Sequence, residues 1–492
     1  MKGFVVRGVK RTLKWVVMLL LACAVTVFGV RAFDSLRGPP LEVWHKFVPD
    51  ELSPSEIDAA DWTAYVARED VLYDEILKNV TNKLDVEDRA AWNRYFAGSP
   101  INPTGFAQNY NRSFLLMPDG APKGAAVLLH GLTDSPYSMR HFAEFYRSKG
   151  FVAVVIRMPG HGTVPGGLTE VHWESWMAAT RLAVREAVAR AGSNVPLHLV
   201  GYSNGGALAV KYTIDALDDM SLPKPTRISL MSPMIGITAF ARFAGLAAVP
   251  AVFPAFVKAS WLGILPEFNP FKYNSFPVNA ARQSYELTWD LQAAINRVAT
   301  AGRTAELPPI LAFQSIVDFT VSTPAVVTAL FDQLANDGSE LVLFDINRAS
   351  TFSLVINPAA ETAIDHILPP GPRRYAATII ENSAGYSETR ERRMAADDVT
   401  ETRRDLDIAY PYDLYSLSHI ALPFPLSDGL YGMQPDPLDD FGVNLGALAS
   451  RGEAGTLIAS LDTLMRASSN PFFSYMIKRI DEGVDADLAP QQ

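Results

Sequence analysis

Leu197-His198-Leu199-Val200-Gly201-Tyr202-Ser203-Asn204-Gly205-Gly206-Ala207 is the stretch on which the fold turns. An apolar run stops at a Gly-x-Ser-x-Gly pentapeptide, and residues 204–217 then continue at helical spacing. The pentapeptide alone is common by chance. A strand before it and a helix after it give it weight, because a sharp strand-to-helix turn pushes the Ser203 side chain out at the carboxyl end of a sheet. Gly201 and Gly205 permit the close backbone approach such a turn demands, and the helix N-terminus adds positive potential beside Ser203.

Outward from this turn the same rhythm repeats. Apolar runs closed by turn residues occupy 125–130, 151–158, 228–232, 309–315 and 341–346, with a further strand expected over 375–382. Helix-period stretches at 138–149, 173–191 and 325–335 lie between them. Near-continuous apolar strands alternating with helices predict an α/β protein with a mostly parallel sheet flanked by helices on both faces. Two segments break the pattern. Thr238–Pro266 holds no acid and only Arg242 and Lys258 as charges, and it leaves and rejoins the sheet as a cap spanning about 235–305. An insertion spans about 347–408, and its charge-dense part, 388–407, reads as a solvated loop or helix face. Ahead of the repeat, 34–60 reads as a linker, and 61–79 and 85–95 read as helices of a lead-in that ends near 110.

Ser203 is a weak nucleophile unless a base takes its proton and a carboxylate orients that base. In this fold class the order along the chain is serine, acid, histidine. Asp318 follows the run PILAFQS directly, the placement expected of the acid. Downstream, His366 lies in a helix-like stretch stopped by Pro369-Pro370, whereas His419 lies in the loop-like LSHIALP and is the favoured base. Two backbone N–H groups should face a developing oxyanion, one from Asn204 and one from Leu132 in the loop after the first strong strand. His130 and His161 read as holders of loops near the pocket.

The chain has 492 residues, 48% hydrophobic and 20% charged, with a formal charge of −10. Six of its 43 Lys and Arg fall within residues 1–33, which hold no acid, so the remaining 37 face 53 Asp and Glu. A body this acidic repels phosphate backbones, and no nucleic-acid partner is expected. The single cysteine, Cys23, excludes an intrachain disulfide and a thiolate zinc site. No His-Glu-x-x-His, P-loop or dinucleotide fingerprint is present, so neither a metal nor an organic cofactor is expected. Basic residues from Lys2 to Lys14 precede the uncharged run Trp15–Val30, which predicts a retained signal anchor within 1–33. The body then lies on the exported side of a single-pass membrane protein whose N-terminus is cytoplasmic. A lipoprotein signal ending at Cys23 and an ordinary cleaved signal are the competing readings.

LLHGLTDSPYSM (128–139), RMPGHG (157–162), VGYSNGG (200–206), QSIVDFTVS (314–322) and SLSHIALPF (416–424) together resemble the α/β-hydrolase superfamily. The likeness is greatest to its monoacylglycerol lipase, lysophospholipase and serine-aminopeptidase-like branch, over roughly 110–430. The resemblance implies Ser203 as nucleophile, Asp318 as orienting acid, His419 as base, and Leu132 and Asn204 as oxyanion donors. It departs from the pattern in one respect: acid and base lie 101 positions apart, so the insertion must loop out. An apolar cap suits an acyl chain, with Phe240, Phe243 and Trp261 as candidate substrate contacts. The expected substrate is a small acyl ester or lipid, hydrolysed at the membrane. An amidase or aminopeptidase on the same fold is the first alternative, and a non-catalytic binding protein the second.

Overall fold

Ten strands form one sheet in the order β1-β3-β2-β4-β5-β6-β7-β8-β9-β10. They are β1 (Phe114–Leu116), β2 (Gly124–Leu129), β3 (Phe151–Ile156), β4 (Leu197–Tyr202), β5 (Arg227–Met231), β6 (Ile310–Ser315), β7 (Glu340–Asp345), β8 (Ala376–Asn382), β9 (Glu388–Met394) and β10 (Glu401–Ala409). Pairing is parallel from β3 through β8, while β1 and the β9–β10 hairpin add antiparallel edges. This is a computed structural model, and it describes residues 2–489 except 237–247, 319, 348–366, 369–370, 384–386, 412–413, 449–456, 459, 461–463 and 467.

Helices cover both faces, and the pleat decides which residues meet them. Ala125, Val127 and Leu129 of β2 face one layer, built from the helices Trp173–Ala191, Asn204–Asp218 and Val278–Thr300. Ala126 and Leu128 face the other, built from Arg140–Ser148 and the C-terminal helix Phe473–Leu488. Burial on both faces is why these strands read as unbroken apolar runs.

Three parts differ from the sequence expectation. Residues 85–95 form only a single 3-10 turn, Val86–Asp88, in otherwise irregular chain. The stretch 34–60 contains two short helices, Val43–Lys46 and Pro54–Ala59, and buries Trp44 and Ile57 against the body, so it is packed structure and not a free linker. The charge-dense stretch is neither loop nor helix: it is the β9–β10 hairpin. Its charges are matched in place, Arg390 and Arg392 to Glu381 (2.7 and 3.1 Å) and Arg404 to Glu391 (3.1 Å). The N-terminal helix α1 (Lys2–Arg37) is one element, with a stretch from Thr12 of mean hydropathy 2.3 that is long and apolar enough to cross a membrane.

Candidate active site

Ser203 stands at the turn between β4 and the helix Asn204–Asp218 with φ 53° and ψ −114°. A residue with a side chain occupies that region only when its surroundings hold it there. Three backbone bonds do so: Ser203 N–H donates to Met231 (2.9 Å), and its carbonyl accepts from Gly206 (3.0 Å) and Met234 (2.9 Å). A Cβ at Gly205 would overlap the Leu129 carbonyl, and one at Gly201 would lie 2.5 Å from the Gly205 carbonyl. Gly205 is therefore required by close packing of the turn on β2, and Gly201 by close packing against the start of the following helix.

Asp318 and His419, 101 positions apart, meet at 2.8 Å through His419 Nδ1 and an Asp318 carboxylate oxygen. Both side chains are almost wholly buried. The other Asp318 oxygen accepts from the N–H groups of Thr320 (2.7 Å) and Val321 (3.1 Å). Burial pushes the Asp318 pKa up, but the His419 charge and these hydrogen bonds outweigh it and leave the carboxyl below its usual range. The insertion between acid and base does not part them.

The residue beside the nucleophile contacts the histidine. The Tyr202 ring lies 5.2 Å from the His419 ring at a 35° tilt, and its hydroxyl donates to the His419 carbonyl at 3.1 Å. Ser203 Oγ and His419 are not hydrogen-bonded to each other among the described residues; such bonds commonly tighten only around substrate. The backbone N–H groups of Leu132 and Asn204 make no hydrogen bond among the described residues.

The loop carrying Leu132 is fixed from three sides. His130 Nε2 accepts the Met158 N–H (3.0 Å), so its Nδ1 carries the proton donated to the Gly131 carbonyl (2.9 Å). Burial lowers the His130 pKa to about 3 and keeps the ring neutral. From within the cap span, Tyr273 N–H donates to the Thr133 carbonyl (2.7 Å) and Lys272 Nζ to Thr133 Oγ1 (3.0 Å). Thr133 itself has φ 61°. Behind the turn at Pro159–Gly162, the buried Arg157 binds Glu51 (2.7 Å) and Glu69 (3.1 Å) and donates to the His161 carbonyl (3.0 Å).

Of the candidate substrate contacts, Phe240 and Phe243 lie outside the described residues, as does His366. Trp261 is buried edge-on against His45 of the lead-in, with ring centroids 4.9 Å apart. Sequence reasoning missed Tyr202, Tyr273, Lys272 and the Arg157 ion pairs. Only Arg157 carried a sequence signal, as a cation immediately after an apolar strand. Among the described residues no group of His, Cys, Asp and Glu could hold a metal ion.

Residues 120–346 match the profile of the family described as Hydrolase_4, serine aminopeptidase, S33. A thermostable monoacylglycerol lipase of Bacillus sp. (strain H-257) is 29% identical over 92 residues, 19% of this chain. The chain spans about a third (35%) of the length of that curated relative. Among solved structures, a soluble variant of monoglyceride lipase from Saccharomyces cerevisiae is similar over 52% of this chain and 92% of its own, at 12% identity and TM-score 0.37. A monoacylglycerol lipase from Paleococcus ferrophilus is similar over 52% and 97%, at 14% identity and TM-score 0.35.

Proposed function

We propose that this chain, whose fold is that of the α/β-hydrolases, is a membrane-tethered serine hydrolase that cleaves carboxylic esters with a single lipid-like acyl chain. The observation that carries the reading is the buried Asp318–His419 pair, whose histidine touches Tyr202, the residue before a serine on a strained strand-to-helix turn. In the reaction Ser203 Oγ attacks the acyl carbonyl carbon and His419 Nε2 takes its proton. Asp318 orients the imidazolium through Nδ1–H, and the N–H groups of Leu132 and Asn204 receive the oxyanion. As the tetrahedral intermediate collapses, the His419 proton passes to the departing alcohol and the acyl group stays on Ser203. Water, deprotonated by His419, then releases the carboxylic acid and restores Ser203. Helix α1 tethers the body, with the basic Lys2–Lys14 end in the cytoplasm and the body on the exported side.

Hydrolysis of an amino-terminal peptide bond would need a carboxylate free to receive an ammonium group. Glu267, the acid nearest the end of the cap, is fully buried and accepts from the N–H groups of Asn274 (3.0 Å) and Ser275 (2.8 Å). Asp134, at the oxyanion turn, already lies in the field of Lys272. Glu267 is thus committed to backbone donors, whereas Asp134 keeps one buried oxygen, Oδ2, without a hydrogen-bond partner among the described residues, so aminoacyl amides belong in the test. The test is turnover of acyl esters from two to sixteen carbons by the full chain in lipid nanodiscs, beside Ser203→Ala. Turnover that rises with chain length and vanishes in Ser203→Ala is expected. Turnover surviving in Ser203→Ala, or confined to aminoacyl amides, would overturn the assignment.

A further inference from the structure

Helix α1 does more than lead into the body: it is clamped to the cap. The Phe28 ring packs edge-on against Phe253 and Phe256, at 6.3 and 6.2 Å. One turn further on, Arg31 donates to the carbonyls of Ala259 (3.0 Å) and Trp261 (2.8 Å), and Lys258 Nζ reaches the Gly38 carbonyl (2.7 Å). Around this clamp the cap is apolar and open: Val252, Phe253, Val257 and Leu262 are 79%, 55%, 48% and 44% exposed.

The helix serves as a depth gauge. Its apolar run ends at Val30, so at about 1.5 Å per residue Phe28 lies about 3 Å inside that end. The rings it holds are therefore at the edge of the hydrocarbon, and Arg31 stands where phosphate begins. Its guanidinium is held there by the Ala259 and Trp261 carbonyls, which ties the cap to the same depth. No acid occurs between 238 and 266 to oppose that placement.

We infer that the 248–263 segment is a second membrane contact, its exposed apolar residues dipped into the outer edge of the bilayer that α1 crosses, so that a single-chain ester enters the site directly from the leaflet. A bilayer fits this surface better than a second copy of the chain, because the patch is continuous with the lipid-facing side of α1 and shares Phe28 with it. The cap is also joined to the site at both ends. Met234, ahead of the 248–263 segment, binds the Ser203 carbonyl, and Tyr273, after that segment, binds the Thr133 carbonyl at the oxyanion turn. The inference rests on the reading of α1 as a spanning helix.

Nitroxide labels on the full chain in phosphatidylcholine–phosphatidylglycerol vesicles test it, with Cys23→Ser as background and single cysteines placed by Leu19→Cys, Val257→Cys and Val399→Cys. Depth is read from collision with oxygen against a water-soluble nickel chelate. The label at 257 is expected to exclude nickel and admit oxygen, as at 19, whereas the label at 399 stays aqueous. In the Val252→Glu/Val257→Glu variant, hydrolysis of a bilayer-resident monoacyl ester should fall about tenfold while that of a soluble short ester is unchanged. An aqueous signal at 257 with a buried one at 19 overturns the cap contact and leaves the anchor standing. An aqueous signal at 19 overturns both. Absence of any Ser203-dependent ester turnover overturns the enzymatic reading, while the depth measurement still decides the contact.

Discussion

Asp318 is held ionised by its neighbours against the pull of burial. In Asp318→Asn the amide would offer His419 the wrong partner, and imidazole would be fixed in the wrong tautomer. The expected loss in kcat is about 10⁴-fold at unchanged fold, read from ester turnover and circular dichroism. Tyr202 acts one step further from the chemistry, as a positioning residue. Tyr202→Phe keeps the ring against His419 and removes only the bond to its carbonyl, which is worth about 1 kcal/mol. A kcat lower by roughly fivefold with KM unchanged is expected; an unchanged kcat would show that the hydroxyl does not position the loop. The turn at Ser203 and the meeting of Asp318 with His419 were legible because Ser203 and Asp318 follow readable apolar runs and His419 lies in a short loop free of Asp, Glu, Lys and Arg. Tyr202 was not, since a hydroxyl reaching a carbonyl 217 positions away leaves no local pattern.

At the scale of elements, the lead-in supports the site. The helix Trp62–Asn79 brings Glu69, and the chain before it brings Glu51, to either side of Arg157. Arg157→Met would leave two carboxylates without their cation, one of them fully buried. Breaking such a buried arrangement costs about 3–5 kcal/mol, and the thermal midpoint should fall by roughly 10 °C. A midpoint within 1–2 °C of the parent would show that the lead-in is held by its apolar contacts alone. The parallel strands and their helices were legible because strands buried on both faces make apolar runs of a length no loop sustains. The β9–β10 hairpin was not. Its strands carry charge on both faces, so period-two alternation of apolar residues, the usual mark of a strand, is missing. What pairs them is tertiary: cross-strand ion pairs, and Tyr475 of the C-terminal helix donating to Glu391 at 2.6 Å.

Across the whole molecule, three histidines lock separate segments together by staying neutral. His45 ties the lead-in to the cap through Ser275 Oγ (2.9 Å), while His130 and His161 meet edge-on at 5.1 Å near the loop that carries Leu132. Burial lowers His45 and His130 to about 3 and puts His161 further down. Between the ordinary histidine value of about 6.5 and 3, the unfolded chain binds a proton at each that the native state refuses. Their contribution is thus fully present above pH 6.5 and is lost as pH falls toward 3. Asp318 and Asp428, both held below the usual carboxylate range, add a loss with the same sign at lower pH, below about 4. Glu69, Asp134 and Glu267, raised by burial, act the other way, since acid relieves the cost of their charge. His45 can be separated from the rest by substitution. His45→Gln retains an amide near Ser275 and deletes the titration. Its unfolding free energy against pH, measured between pH 6 and 5 by denaturant, should have a slope shallower than the parent's by about 1.2 kcal/mol per pH unit. Parallel lines for parent and variant would mean that His45 takes up its proton in the folded chain, and that the lead-in and the cap can part without unfolding.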